Sequence, residues 1–194
     1  QQGLYPILEP FDLKGVGALG NRYLDSGKQD DSWLYLPSLR RVRRLSTAQR
    51  SDALFGQDTD VDSYYGYSGH IAWMDWRYLG QREMLAAFHA EHFPVKWADK
   101  VDWAFDDVWE KRTMYAIEGT SKLPQYAFSK RVMFIDKEAW LINFSDMYDR
   151  SGELWKIWIN DLSFRKRAFE GGNAIEYPDE MGFAPAIVMV DIQL

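Results

Sequence analysis

At 194 residues and 22.7 kDa the chain has the length of one domain; a domain of this size buries roughly 70% of its unfolded surface, so two independent domains are not expected. The formal charge of −6 and pI near 5.1 argue against a general nucleic-acid surface, which needs basic charge, and the absence of cysteine excludes disulfides, thiol catalysis, zinc–cysteine centres and iron–sulfur clusters. Nine Trp, 11 Tyr and 11 Phe favour strands and apolar pockets over disorder or a plain helical bundle.

The first residues, Gln1 to Pro6, carry no basic-then-apolar leader and no methionine, so residues 1–194 are expected to be a single domain forming the C-terminal part of a longer precursor. No stretch reaches the roughly 18 apolar residues of a membrane-spanning helix. Leu13 to Leu24, with Gly15, Gly17 and Gly20, predicts a kinked or bulged strand. Gly27 to Asp31 is a turn, Ser32 to Leu36 a short strand, and Pro37 its stop. Ser46 to Gly69, rich in Asp, Ser, Gly and Tyr, reads as a long loop or plug, a kind of segment that often carries function. Ile71 to Gly80 returns to strand, with a hairpin into Arg82 to Phe88. Val101, Phe105 and Trp109 recur at four-residue intervals in Pro94 to Trp109, which fits either a short amphipathic helix or an aromatic loop. Lys111 to Gly119, Ser129 to Asp136, Trp140 to Asp149 and Glu153 to Phe164 are strand-length segments separated by turns such as Asp149-Arg150-Ser151-Gly152, the pattern of an antiparallel meander. Ala186 to Leu194 is the last strand.

Arg40-Arg41-Val42-Arg43-Arg44 is the densest charge cluster. It fits an anion clamp, with Arg41, Arg43 and Arg44 as head-group residues, or a strand whose arginines pair with the chain's excess acids. Asp58, Asp60 and Asp62 alternate, but Ser63 and Gly69 stand where an EF-hand needs glycine and glutamate, so they are read as acids bracing the arginines. His89 and His92 are three apart rather than the four of a zinc-protease helix, and no Gly-x-Ser-x-Gly elbow is present. No metal, cofactor or catalytic residue is therefore assigned.

The aromatic strands are the strongest feature. Trp33 and Tyr35 share a strand face; Met74 and Trp76 alternate on another; several strands, such as Leu154 to Ile159, are apolar on both faces. A sheet apolar on both faces needs two coverings, or one covering and one cavity. The expected apolar lining of such a cavity is Trp33, Tyr35, Met74, Trp76, Tyr115, Met133, Trp140, Phe144 and Trp158; the other outcome is an ordinary filled core.

Asp31 to Leu45, then Phe55-Gly56-Gln57-Asp58, and the later Ile135 to Trp140 and Tyr148 to Lys156 resemble the signatures of the LolA-like outer-membrane lipoprotein-sorting superfamily. From about Phe11 to Leu194 the chain resembles more closely the C-terminal part of the proteobacterial domain-of-unknown-function family 1329. The resemblance implies a mainly β fold: a strongly curved antiparallel sheet, an incomplete barrel, with few short helices and long loops. It implies a periplasmic carrier or binding protein, not an enzyme, that takes a hydrophobic small molecule or lipid and works beside an inner-membrane exporter and an outer-membrane protein. A transporter adaptor without bound ligand is the alternative, and a hydrolase using the acids of residues 58–62 a third.

Overall fold

A computed structural model describes residues 2–9, 11–45, 50–54, 56–101, 103–164 and 181–194. Phe55 and residues 46–49 of the expected long loop, and Asp102 of the expected helix, lie outside the described residues. The protein is mainly β; the described residues form ten strands in two antiparallel sheets and a few 3-10 turns. The chain divides into two compact units, residues 1–50 and 51–194.

The first unit is a four-stranded sheet in sequence order: β1 (Gln2–Pro6), β2 (Gly17–Asn21), β3 (Asp31–Leu36) and β4 (Arg41–Leu45). Pro37–Leu39 forms a 3-10 turn between the last two, closed by Arg40 at φ 47°. This aligns Trp33 with Arg44 and Tyr35 with Val42. The strand expected over Leu13 to Leu24 shortens to five residues, because Phe11 to Val16 form turns, Lys14 N–H donating to Phe11 O, Gly15 N–H to Ile7 O and Val16 N–H to Leu13 O. A strand at Gln2–Pro6 was not expected from the sequence; it exists because β2 offers it a partner edge.

The second unit is a six-stranded meander of β5 (Met74–Ala87), β6 (Trp109–Ser121), β7 (Lys130–Asp136), β8 (Ile142–Tyr148), β9 (Leu154–Phe164) and β10 (Gly182–Asp191), in the order β10-β9-β8-β7-β6-β5. Among the described residues β5 and β10 are its open edges, so the sheet is not a closed barrel. It nonetheless curls. Ala90, just past β5, donates its N–H to Leu162 O of β9 at 2.8 Å, and Ala87 packs in one cluster with Ile159 and Phe105.

Two expectations are corrected here. The hairpin over residues 71–88 is one strand: Gly80, at φ 103°, forms a bulge against Ala116, and pairing with β6 continues on both sides of it. A Gly-Gln-Arg sequence looks like a turn, but a bulge satisfies it while keeping the ladder intact. Ile71–Trp73 is a 3-10 turn leading into that strand. The helix option over Pro94 to Trp109 also fails. Its described residues form a loop in which Trp97 bridges Phe105, Trp97 stacks on Phe105 at 5.6 Å, and Phe105 stacks on Trp109 at 6.4 Å. The four-residue aromatic spacing serves ring stacking across a turn, not a helical stripe.

One face of the six-stranded sheet carries Met74, Trp76, Arg131, Ser145, Met147 and Trp158. Residues 60–68 cover it as a plug. Asp60 caps the 3-10 segment Val61–Gly66, its Oδ1 accepting from the N–H of Asp62 and of Ser63 at 2.9 Å each, and its Oδ2 accepting from Ser63 Oγ at 2.6 Å. Gly66 then takes φ 94° against Ile142, where a Cβ would collide with Ile142 Cγ2. Gly66→Ala is expected to cost about 2 to 4 kcal/mol, from a left-handed backbone plus forced repacking, read as a lowered midpoint in urea unfolding.

Candidate binding cleft

Beside the plug, the same unit opens a cleft of about 620 Å³, within the roughly 300–1,000 Å³ range of small-molecule sites. Tyr65 and Tyr67 of the plug line it, with Trp140 and Leu141, between β7 and β8, and Ile142 at the start of β8. Asn160 and Leu162 of β9 and Gly182 to Ala184 of β10 make the floor. The polar atoms of the floor are already engaged: Asn160 Oδ1 accepts from Trp158 Nε1 at 2.7 Å and its Nδ2 donates to Ile142 O at 2.6 Å. Tyr67 OH donates to His70 O at 2.9 Å. What the cleft offers a visitor is chiefly aromatic and aliphatic surface.

The Trp140 wall is built on Asp136. Its carboxylate accepts from the N–H of Glu138 and Ala139 at 2.9 and 2.7 Å, and Arg112 grips it with Nε at 2.9 Å and Nη2 at 3.1 Å. Burial works against the Asp136 charge, yet the Arg112 guanidinium and these N–H groups hold the carboxyl below its ordinary range. The turn they fix ends with Trp140 N–H donating to Asp136 O at 3.0 Å. The Trp140 indole is backed by Tyr115 at 5.5 Å and is 69% exposed.

The residues expected to line a cavity are dispersed. Trp140 lines the cleft, with Tyr115 behind it. Met74 and Trp158 are core, packed with Tyr126, Phe128 and Met147, and Trp76 lies against the same cluster; Met133 is buried. Their apolar surface is taken up by the protein's own side chains. Phe144 faces the opposite side of the sheet, packed near Ile159, and Trp33 and Tyr35 are in the first unit. Sequence reading missed Tyr65, Tyr67, Leu141, Ile142, Leu162 and Phe183; the Tyr64-Tyr65-Gly66-Tyr67 run inside an otherwise polar loop was the available signal.

The acids and arginines pair differently from the expected bracing. Asp58 meets Lys156 of β9, through its backbone O at 2.7 Å and Oδ1 at 3.6 Å from Nζ. Asp60 stabilises its own turn and feels the charge of Arg131 of β7, while burial raises its pKa; the charge of Asp62 bears on Asp60 in the same plug. Arg44 pairs with Asp31, and Arg50 with Asp30 at 2.9 Å. Arg41 and Arg43 are exposed on β4. The acids find sheet cations because a plug lying on a sheet face must neutralise charge locally. Among the described residues no group of three metal-ligating side chains converges, and no helix is long and apolar enough to cross a membrane.

A family model described as a protein of unknown function, DUF1329, matches residues 2–192. No match was found among curated proteins. Among solved structures, a domain named as an outer membrane lipoprotein-sorting protein from Vibrio parahaemolyticus is 21% identical, with a TM-score of 0.69 over 99% of this chain and 65% of that one. A DUF1329 family protein from Desulfovibrio piger is 21% identical, with a TM-score of 0.60 over 97% of this chain and 68% of that one. A LolA superfamily protein from Nitrosomonas europaea is 18% identical, with a TM-score of 0.54 over 99% and 65%. The chain thus spans about two thirds of these neighbours' lengths and shares their LolA-like fold.

Proposed function

Because the chain belongs to the DUF1329 family and has a LolA-like fold, we propose that it is a non-catalytic carrier or binding protein for a hydrophobic, lipid-like molecule, serving an export system of the periplasm. The observation that carries this reading is the cleft: a half-open hollow lined mainly by aromatic and aliphatic side chains, its Asn160 amide engaged by the protein itself. A ligand burying roughly 400 Å² of apolar surface gains about 10 kcal/mol at 25 cal/mol per Å²; association costs at the low end of their range, about 4 kcal/mol, leave about 6 kcal/mol, a Kd of tens of micromolar. We assign Arg41 and Arg43 of the first unit an anion-contacting role, on their exposure.

Native mass spectrometry of protein purified from its own cell envelope tests the reading. The expected result is one apolar molecule per chain, lost in Ala184→Trp, which places a large side chain at the cleft lining. Retention of no fatty acid, phospholipid or sterol by the wild type overturns it. Co-purified transporter subunits without any extractable apolar molecule would instead support the adaptor role. Equal binding by Ala184→Trp would move the ligand out of this cleft.

A further inference from the structure

Four non-glycine residues among those described adopt a left-handed backbone: Arg40, Tyr65, Lys100 and Trp140. Two of the four, Tyr65 at φ 57° and Trp140 at φ 58°, line the same cleft. Bulky aromatics avoid this conformation, and it persists only where the surroundings over-determine it. Both are also surface side chains, Tyr65 60% and Trp140 69% exposed, so core packing does not account for either placement.

Each strained residue is anchored from beneath by an arginine. Arg131, fully buried, donates from Nη1 to the O of Gly66, the residue after Tyr65, at 2.6 Å. Arg112 holds Asp136, whose turn ends at Trp140. Tyr115 backs the indole, and Ile142 fills the space beneath Gly66. Two independent devices thus fix the backbone at two aromatic residues that line one hollow. A flexible acyl chain gains little from such fixing, because it adapts to any apolar wall; a flat, rigid ring gains from walls already set to receive its faces.

We propose that Tyr65 and Trp140 form an aromatic clamp and that the cleft selects a flat, ring-bearing apolar molecule over a simple acyl chain. The inference rests on the carrier reading above and narrows its ligand class. The lining named for the cleft contains no carboxylate, so an uncharged ring system fits better than a quaternary ammonium ion, which aromatic cages bind through its charge.

Equilibrium dialysis with pyrene and with palmitate as probes tests the clamp. The wild type is expected to bind pyrene more tightly than palmitate. The Tyr65→Leu/Trp140→Leu double variant keeps apolar bulk but loses both ring faces; it is expected to lose about tenfold or more in pyrene affinity and under about threefold for palmitate. Tyr65→Phe/Trp140→Phe retains both rings and is expected to restore pyrene binding to within about threefold, which keeps the comparison usable if the leucine variant folds poorly. Palmitate binding without pyrene binding, or equal losses of both probes, overturns the clamp and leaves the carrier reading standing. A wild type that binds neither probe overturns the clamp, while Ala184→Trp and the envelope extract decide the carrier reading separately.

Discussion

Arg131→Met is expected to lower the stability of the second unit by about 3 to 5 kcal/mol at neutral pH, the range seen when one partner of a buried charge group is removed. Arg131 is fully buried and reaches three acceptors: Gly66 O at 2.6 Å, Tyr126 OH at 3.0 Å and Ser63 Oγ at 3.4 Å. Its guanidinium also lies over Tyr67 and Phe128, at 5.0 and 5.6 Å. Methionine keeps much of the aliphatic volume, so the loss is chiefly electrostatic. Burial already raises the Asp60 pKa, and the Arg131 charge opposes that rise. Without Arg131 the folded-state pKa of Asp60 climbs further, so the unfolded chain releases a proton over a wider pH range in which the folded chain keeps it. The penalty therefore grows as pH rises from acid toward neutral. Urea denaturation at pH 4.5 and 7.5 checks this: the expected deficit is smaller at the lower pH, and a deficit that does not change with pH would mean Asp60 and Arg131 are energetically independent.

That coupling shows why some of the molecule was legible in the sequence and some was not. The meander of β6 to β9 was readable because its signals are local. The segments have strand length, and Asp149 closes its turn with Oδ1 accepting from the N–H of Ser151 and of Glu153, while Gly152 takes φ 90°. The plug was visible as an acidic loop, but its partner is a single arginine in a strand 71 residues downstream of Asp60. No pattern marks such an arginine, whereas the dense run at residues 40–44 draws attention although Arg41 and Arg43 remain exposed. Large apolar residues such as Trp158 and Met74 report only that a surface is covered; whether the cover is ligand or protein depends on where residues 60–68 and 123–128 come to lie. The cleft joins Tyr65, Trp140 and Phe183, which are far apart in the chain, and its two left-handed aromatics run against every local preference.

Asp161→Asn is expected to stabilise the protein, by an amount that depends on pH in a defined way. Asp161 of β9 is fully buried, and neither carboxylate oxygen has a hydrogen-bond partner. Burial, and after it the negative charge of Asp107, push its pKa up to about 8. The Asp107 side chain is itself buried, accepting the Glu91 N–H at 2.7 Å and lying 3.2 Å from His92 Nδ1. At neutral pH the folded protein keeps the Asp161 proton while the unfolded chain, with a pKa near 3.9, has lost it. The folded state then binds more protons than the unfolded one, and stability falls as pH rises from about 4 to about 8, at up to about 1.4 kcal/mol per pH unit. Above pH 8 both states are ionised and the contribution is constant. Asparagine has nearly the same shape and nothing to titrate. Its stability is expected to match the wild type near pH 4 and to exceed it by about 3 kcal/mol or more at pH 8, measured by denaturant unfolding across that range. Asp107→Asn, which removes the second cause of the shift, is expected to bring the end of the wild-type decline to a lower pH. A wild-type and Asp161→Asn pair whose difference stays constant from pH 4 to 8 would show that Asp161 is ionised in the folded state, and that the interior between β9 and residues 89–107 admits water.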